Sequence, residues 1–188
     1  MIKRGFKRML GLFKTVLNGV KAGRNVYVGF NGKIINRGMM TLGDNVSLRG
    51  GRFYTAHGAS RLLIDSGSDI GEYSTVSAQN LIRIGKNVLS GTHVFISDHN
   101  HEYIDVNVPI MFQGVRCGKD DRVEIGDGTW IGTNAVIAGN VRIGKNCVIG
   151  ANSVVTRDIP DYCVAAGAPC RIIKQYDQEN KKWKKIRN

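Results

Sequence analysis

Aliphatic residues recur at every sixth position through the C-terminal half of the 188-residue chain. They are Ile125, Ile131, Ile137, Ile143, Ile149 and Val155, and small or short side chains follow each of the first five, four places later, at Thr129, Ala135, Val141, Cys147 and Ser153. A helix repeats its apolar positions every 3.6 residues and a single strand every second residue, so a period of six fits neither. The pattern predicts short strands and turns that stack as the coils of a solenoid around an apolar ladder.

The same six-residue unit extends toward the N-terminus in a looser form, beginning at Leu42, Ile64, Ile70 and Ile84. Glycine accounts for 24 of the 188 residues, as expected of a chain with many turns. Asparagine tolerates the left-handed backbone region better than most residues. We therefore predict left-handed turn residues at Asn45, Asn87, Asn134, Asn140, Asn146 and Asn152.

The two ends of the chain follow other patterns. Residues 1–25 place apolar side chains at helical spacing opposite lysines and arginines, at Ile2, Phe6, Met9, Leu10, Phe13, Val16, Leu17 and Val20. This predicts a basic amphipathic helix that caps the open end of the solenoid, and an alternative lays it on an anionic lipid surface. The basic extension 174–188 is predicted to form a short helix or a disordered tail.

The net charge of +12 is concentrated at the ends, because residues 25–170 hold 13 basic and 13 acidic side chains. This distribution favours an anionic surface or phosphates near the termini over a nucleic-acid groove. Lysines and arginines interrupt the apolar residues of the first helix, which argues against a membrane span. The four cysteines contain no C-x-x-C pair, which fits a reducing compartment. We therefore predict a cytoplasmic protein, with the inner face of the membrane as an alternative location.

The repeat is interrupted once, by residues 97–124, which we interpret as a projecting loop. Insertions into a solenoid commonly mark its binding face. His99 and His101 lie at the root of this loop, and histidine titrates near the working pH of a general base. Asp98, Glu102 or a backbone carbonyl are open alternatives for the group that orients the imidazole.

The hexads, the loop sequence N-H-E-Y and the closing stretch A-A-G-A-P-C-R-I-I-K resemble the hexapeptide-repeat acyltransferases, close to those acting on sugars and exopolysaccharides. The resemblance covers residues 26–174 and is most specific over 84–174. It implies an all-β fold, a left-handed parallel β-helix with short helical N- and C-terminal extensions and a catalytic domain at 26–173. It also implies a homotrimer with active sites between subunits, and direct acetyl transfer from acetyl-CoA to a sugar or polysaccharide precursor, without a metal.

The resemblance also implies roles for individual residues. His101 is the first candidate for the general base, because it falls at the sixth position of the hexad that begins at Ile96, and His99 is the second. The positions that match acetyl-CoA contacts of the family are Trp130, Thr133, Ala151, Thr156, Arg157, Arg171 and Lys174. Arg157 stands where the family usually has lysine, which retains a positive charge for the nucleotide phosphates.

Two other functions remain open from the sequence. A γ-type carbonic anhydrase shares the solenoid and binds metal through histidines, for which His57, His93 and either His99 or His101 are available. A non-catalytic scaffold would use the solenoid for assembly alone. The basic ends would suit an acceptor held at an anionic membrane surface, and no nucleic-acid partner is expected.

Overall fold

The computed structural model describes residue 11 and residues 13–186, which form a β-solenoid of about seven coils. The strands are β1 (Lys21–Ala22), β2 (Tyr27–Val28), β3 (Gly32–Asn36), β4 (Met39–Leu42), β5 (Ser47–Leu48), β6 (Gly51–Thr55), β7 (Arg61–Ile64), β8 (Asp69–Ile70), β9 (Ser74–Ala78), β10 (Leu81–Ile84), β11 (Leu89–Ser90), β12 (Phe95–Ser97), β13 (Asn100–His101), β14 (Val115–Arg116), β15 (Arg122–Ile125), β16 (Trp130–Ile131), β17 (Val136–Ala138), β18 (Val141–Ile143), β19 (Val148–Ile149), β20 (Val154–Val155), β21 (Cys163–Ala166), β22 (Arg171–Asp177) and β23 (Lys182–Lys185).

Each coil contributes one short strand to each of three sheets. The first sheet has the order β1-β4-β7-β10-β15-β18, the second β2-β5-β8-β11-β16-β19-β21-β22-β23, and the third β20-β17-β12-β9-β6-β3. Strands from successive coils pair in parallel, as Ile131 with Ile149 in the second sheet and Ile137 with Val155 in the third. The predicted all-β parallel solenoid is confirmed.

The six-residue ladder forms the centre of the core. All six of its aliphatic residues are at most 2% exposed, and the smaller residues at Thr129, Ala135, Val141, Cys147 and Ser153 are buried with them. Full burial of an aliphatic side chain is worth about 1.5–3 kcal/mol. The period of six therefore corresponds to one inward-facing aliphatic residue on each of the three sides of a coil.

The turns confirm most of the predicted left-handed residues. Asn45, Asn87, Asn134, Asn146 and Asn152 have φ between +51° and +59°. The prediction for Asn140 is wrong, because Gly139 takes the positive φ of that turn, at +91°. Glycine adopts this conformation without the steric cost of a Cβ, which leaves the Asn140 side chain to accept a hydrogen bond from the Arg122 N–H at 3.4 Å.

The predicted N-terminal helix lies largely outside the described residues. Residues 13–17 are helical, but Phe13, Val16 and Leu17 are 59–67% exposed, so this part of the predicted apolar face does not cover the solenoid. Lys14 fastens the segment instead, because its Nζ donates to the carbonyls of Gly29, Phe30 and Gly32 at 2.7–3.0 Å. Among the described residues no helix has the length and apolarity needed to cross a membrane.

The prediction of a helical C-terminal extension is wrong, because its described residues, up to 186, form a β-hairpin. Strand β22 pairs antiparallel with β21 and then with β23. The open edge of the second sheet offers unpaired backbone groups that a hairpin satisfies and a separate helix would not. Tyr176 packs edge-on against Trp183, with ring centroids 5.4 Å apart, and Lys184 pairs with Asp177.

Candidate active site

The turns between the sheets divide the candidate residues into groups. The second corner joins the second sheet to the third and comprises residues 29–31, 49–50, 71–73, 91–93, 132–134 and 150–152. The third corner joins the third sheet to the first and comprises residues 37–38, 56–60, 79–80, 98–121, 139–140 and 156–158. The projecting loop is therefore an expanded third corner, with β12 before it and β15 after it.

The loop has internal order despite its exposure. Its base is the two-residue antiparallel pair of β13 and β14, and a 3-10 turn spans Ile110–Phe112. The Gln113 side chain accepts from the Asp105 N–H and donates to the carbonyls of Asp105 and Val108. Many of its side chains are apolar and exposed, at Tyr103, Ile104, Val106, Ile110, Met111, Phe112 and Val115.

Asp98 and His99 form a dyad where the loop leaves the solenoid. The Asp98 side chain is fully buried, and its two carboxylate oxygens accept from the backbone N–H groups of Gln79 and Asn80, each at 2.8 Å. His99 Nδ1 lies 2.9 Å from Asp98 Oδ1, and the imidazole is 19% exposed. An ionised carboxylate only accepts hydrogen bonds, so Nδ1 carries the proton and the lone pair is on Nε2.

His101 is held much more loosely. Its side chain is exposed, and its Nδ1 is 3.4 Å from the carbonyl oxygen of Gly114. Glu102, which the sequence left open as an orienting group, instead accepts from the backbone N–H groups of Tyr103 and Ile104. Of the two candidate histidines, the structure gives a buried carboxylate partner to His99.

Asn80 connects the dyad to the returning limb of the loop, a role that the sequence did not indicate. While its backbone N–H holds Asp98, its side-chain amide donates to the carbonyls of Lys119 and Asp121, each at 2.8 Å. Both ends of the projecting loop are therefore fastened to one residue of the preceding coil.

Replacing Asn80 by alanine removes only the two side-chain bonds. We expect a loss of about 1–3 kcal/mol in the free energy of unfolding, since two carbonyls lose their donor, and faster amide exchange in the segment around residues 119–121. Asn140→Ala is the matched control, because that side chain, at the same corner two coils further on, accepts a single long bond. Unchanged exchange in the Asn80 variant would show that the loop is anchored elsewhere.

Cys117 also lies beside the dyad, which the sequence did not reveal. Its Sγ is 3.7 Å from the Asp98 carbonyl oxygen. Burial, followed by the charges of Asp98 and Asp121, raises the pKa of the Cys117 thiol to about 11. The thiol is therefore protonated at neutral pH and is a poor nucleophile.

The raised pKa predicts slow alkylation of Cys117. At pH 8 iodoacetamide should modify Cys117 on the order of a hundredfold more slowly in the folded protein than in denaturant, where the thiol regains a pKa of about 8.5. The rate in the folded protein should rise as the pH approaches 11. Mass spectrometry of the Cys117 peptide reads the modification, and equal rates in both states would contradict the assignment.

Four of the seven predicted donor-binding residues fall on two corners that border the third sheet. Thr133 and Ala151 occupy equivalent positions of successive coils at the second corner, and both are exposed. Thr156 and Arg157 lie at the third corner, two coils beyond His99, and both are exposed. With about 4.8 Å between neighbouring strands, that separation is roughly 10 Å along the solenoid.

Trp130, Arg171 and Lys174 belong to the second sheet. Trp130 is 51% exposed on its outer face, in register with Leu89 and Val148. Arg171 and Lys174 are exposed on β22, paired with Ala166 and Val164 of β21. Within one chain the second sheet lies opposite the third corner, so Trp130 and His99 are on different sides of the coil.

The histidines proposed for a metal site are also dispersed. His57 lies at the third corner, where its Nδ1 accepts from the Ala59 N–H at 3.3 Å, and His93 lies at the second corner, stacked on Tyr73. Within residues 11 and 13–186, no group of three His, Cys, Asp or Glu side chains is close enough to hold a metal ion.

Known proteins with similar sequences are acetyltransferases. A family model described as bacterial transferase hexapeptide (six repeats) matches residues 122–157. The chain is 32% identical over 156 residues to the "Putative lipopolysaccharide biosynthesis O-acetyl transferase WbbJ" of Escherichia coli K12, covering 81% of this chain and 80% of that protein. It is 37% identical over 111 residues to the galactoside O-acetyltransferase of the same bacterium, covering 58% of this chain and 51% of that protein.

Solved structures share the solenoid. The N-acyltransferase AntD from Bacillus cereus, in complex with dTDP and 3-hydroxybutyryl-CoA, superimposes with a TM-score of 0.72 at 20% identity, over 90% of both chains. At this identity the similarity shows the fold. The sequence identity to WbbJ, which extends over most of both chains, shows the family: this chain belongs to the hexapeptide-repeat acetyltransferases.

Proposed function

We propose that the protein transfers an acetyl group from acetyl-CoA directly to a hydroxyl of a sugar or polysaccharide precursor, with His99 as the general base and Asp98 as its orienting group. The observation that carries this assignment is the dyad at the root of the loop. A buried carboxylate, itself held by two backbone N–H groups, fixes the tautomer of a partly exposed imidazole. His101, the first candidate from the sequence, has no comparable support.

The chemistry needs only one proton carrier. His99 Nε2 takes the proton of the acceptor hydroxyl as its oxygen attacks the thioester carbon, and a tetrahedral intermediate forms. The C–S bond then breaks, the acetyl group stays on the acceptor oxygen, and the proton on Nε2 goes to the leaving thiolate of CoA. Asp98 stabilises the transient imidazolium, and general-base help of this kind is worth about 10²–10⁴-fold.

The protonated state of Cys117 supports direct transfer. A covalent acetyl-enzyme would need a thiolate or an activated hydroxyl near the dyad. The Cys117 sulfur is close enough to be considered, but its pKa of about 11 keeps it as a thiol at neutral pH. The acceptor hydroxyl is then the nucleophile that His99 activates.

Exposed cations at the C-terminal end of the solenoid suit the anionic half of acetyl-CoA. Arg157, Arg171 and Lys174 are all exposed and lie on the last coils. The pantetheine arm is proposed to follow the corner formed by Thr133 and Ala151, with Trp130 beside it. Planar guanidinium groups bind phosphates through paired hydrogen bonds, so Arg157 and Arg171 are the stronger candidates for the phosphates.

The separation of these groups supports a shared active site. Trp130 and His99 face different sides of one chain, so a site that uses both requires the histidine of one subunit and the tryptophan of another. The exposed apolar loop gives such a subunit contact a surface to bury. We therefore propose a homotrimer with the reacting groups between subunits.

The sugar acceptor is proposed from the named relatives, an O-acetyl transferase of lipopolysaccharide biosynthesis and a galactoside O-acetyltransferase. The basic ends, with seven lysines and arginines in residues 1–24 and seven in 171–188, suit an acceptor held near an anionic membrane surface. We propose that the reaction takes place in the cytoplasm, at or near the inner face of the membrane.

Paired acceptors test whether oxygen is the acetylated atom. Neutral oligosaccharides and their amino-sugar counterparts are incubated with acetyl-CoA and the protein, and mass spectrometry with base treatment distinguishes esters from amides. We expect acetyl esters that base removes. Base-stable amides formed only on the amino sugars would contradict the proposed O-acetylation while leaving an acetyltransferase.

A further inference from the structure

One turn of the second corner is shorter than the others. In each described coil, this corner connects the last residue of a second-sheet strand to the first aligned residue of the third sheet. Five of the six corners have three residues between these two positions, as in 29–31 and 71–73. The corner that follows Leu48 has only Arg49 and Gly50 before Gly51 resumes the third sheet in register with Gly32 and Ser74. This corner therefore has one residue, and one side chain, fewer than the equivalent corners of the neighbouring coils.

A pocket occupies the position of the absent side chain. Its volume is about 160 Å³, and it is lined by Tyr27, Phe30, Asn31, Arg49, Gly50, Glu72 and Tyr73. Gly50 is buried between the neighbouring coils, where a Cβ would lie 3.9 Å from the Asn31 Cβ and 4.0 Å from the Glu72 Cα. The space above Gly50 is thus open to a side chain or to a ligand.

Aromatic rings flank this pocket. Phe30 is 83% exposed, and Tyr73 is 57% exposed. Tyr73 is fixed by stacking on His93, with ring centroids 5.0 Å apart and planes 23° apart. Exposed rings offer apolar faces to a ligand, and the stacked Tyr73 ring does so at little entropic cost.

The positive and negative charges around the pocket are equal in number. Arg49 donates to both carboxylate oxygens of Asp69, with Nε at 2.7 Å from Oδ1, and Glu72 adds a further carboxylate to the lining. The Lys14 ammonium lies 5.9 Å from the centroid of the Phe30 ring. Two positive and two negative groups leave little net attraction for an anion. Lys14 already donates to three carbonyls, so the remaining N–H groups of Arg49 and the carboxylate of Glu72 are the donors and acceptors for hydroxyl groups.

We propose that this pocket binds a neutral sugar ring of the acceptor glycan, stacked on Phe30 and Tyr73 and hydrogen-bonded to Arg49 and Glu72. The sugar class is argued from the pocket itself, and its identity as part of the acceptor rests on the proposed function. The pocket lies on the same corner as Thr133 and Ala151, and Gly50 is three coils from Thr133, roughly 14 Å at about 4.8 Å per coil. Thr133 is the position proposed for the pantetheine arm, so a sugar in the pocket and a hydroxyl at the thioester of that arm would belong to one molecule only in an acceptor longer than a monosaccharide.

Filling the pocket tests the proposal. Saturation-transfer NMR measures the binding of neutral linear oligosaccharides of glucose, galactose and mannose to the parent protein, to Gly50→Leu and to Gly58→Leu. A Cβ at Gly58 meets nothing within 4 Å, and neither glycine has a positive φ, so Gly58→Leu is the matched control. We expect Gly50→Leu to lose binding and Gly58→Leu to retain it, while Phe30→Ala weakens binding about two- to tenfold, as the loss of one aromatic contact predicts.

Several outcomes would overturn the pocket assignment. Equal binding by the parent and Gly50→Leu would place the sugar elsewhere, and binding of uridine diphosphate with no neutral oligosaccharide bound would assign the pocket to another ligand class. Acetyl transfer measured on the same variants separates the two proposals. Transfer with an unchanged acceptor KM in Gly50→Leu contradicts the pocket alone, whereas pocket-dependent sugar binding without any transfer contradicts the proposed function alone.

Discussion

Replacing His99 by alanine is expected to lower kcat/KM for acetyl transfer by about 10²–10⁴-fold, the usual contribution of a general base. His99 is the histidine whose Nδ1 is bonded to the buried Asp98 carboxylate, which leaves Nε2 to take the hydroxyl proton. The affinity for CoA, measured by calorimetry, should change little, because no donor contact is assigned to this side chain.

His101→Ala is the matched control, because this histidine lies two residues away on the same loop and is exposed. We expect it to retain most of the activity. A collapse of kcat/KM in His101→Ala with near-normal activity in His99→Ala would reverse the assignment and return the base to the residue favoured by hexad counting. Loss of activity in both with intact CoA binding would indicate that both rings contact the reactants.

Replacing Phe53 by alanine is expected to cost about 3–5 kcal/mol in the free energy of unfolding, as found for buried aromatic residues. Phe53 is fully buried in β6, in register with Ile34 of the preceding coil and Val76 of the next. Its removal leaves a void that the rigid, hydrogen-bonded coils on either side cannot readily close. Guanidinium unfolding followed by circular dichroism measures the loss.

Phe30→Ala provides the comparison for the core prediction. This ring is 83% exposed at the second corner, and surface substitutions usually change stability by no more than about 0.5 kcal/mol. If Phe53→Ala lowered the free energy of unfolding no more than Phe30→Ala does, the inward orientation of the Phe53 side chain in the third sheet would be wrong.

The solenoid could be predicted from the sequence because each coil repeats one local rule. Ile131 and Ile149 face inward and pair in register, and the six-residue spacing alone puts them there. Where two adjacent residues could each adopt the positive φ of a turn, the repeat does not predict which of them does. Asn140 follows Gly139, and the glycine takes the strained conformation at lower cost.

The C-terminal hairpin depended on tertiary structure. Lys182–Lys185 carries no strong strand pattern, and its conformation follows from pairing with β22, which in turn completes the open edge beside β21. The sequence of this basic extension predicted a short helix or a disordered tail, whereas the free sheet edge determines the structure that forms.

The sequence predicted the projecting loop and the two histidines at its root, but not the contacts that distinguish one histidine from the other. The interruption of the repeat identified the loop and its two histidines. The choice between them depends on Asp98, whose carboxylate is held by backbone groups of Gln79 and Asn80 in the preceding coil. Such a contact joins positions about 20 residues apart, which is the length of one coil. The local sequence around Asp98 therefore does not predict it.

The pocket at Gly50 was missed for a related reason. The hexads are irregular before Ile64, so a corner one residue short does not stand out in the sequence. The register of β3, β6 and β9 makes the difference visible.

Acceptor-dependent release of free CoA thiol by the unmodified protein is the most direct test of the central claim, with initial rates from acetyl-CoA compared with and without neutral oligosaccharides. We predict that thiol release requires an acceptor and equals the amount of acetylated sugar formed. Thiol release that is absent with every acceptor, together with no measurable binding of acetyl-CoA, would contradict the assignment and leave the solenoid as a non-catalytic scaffold.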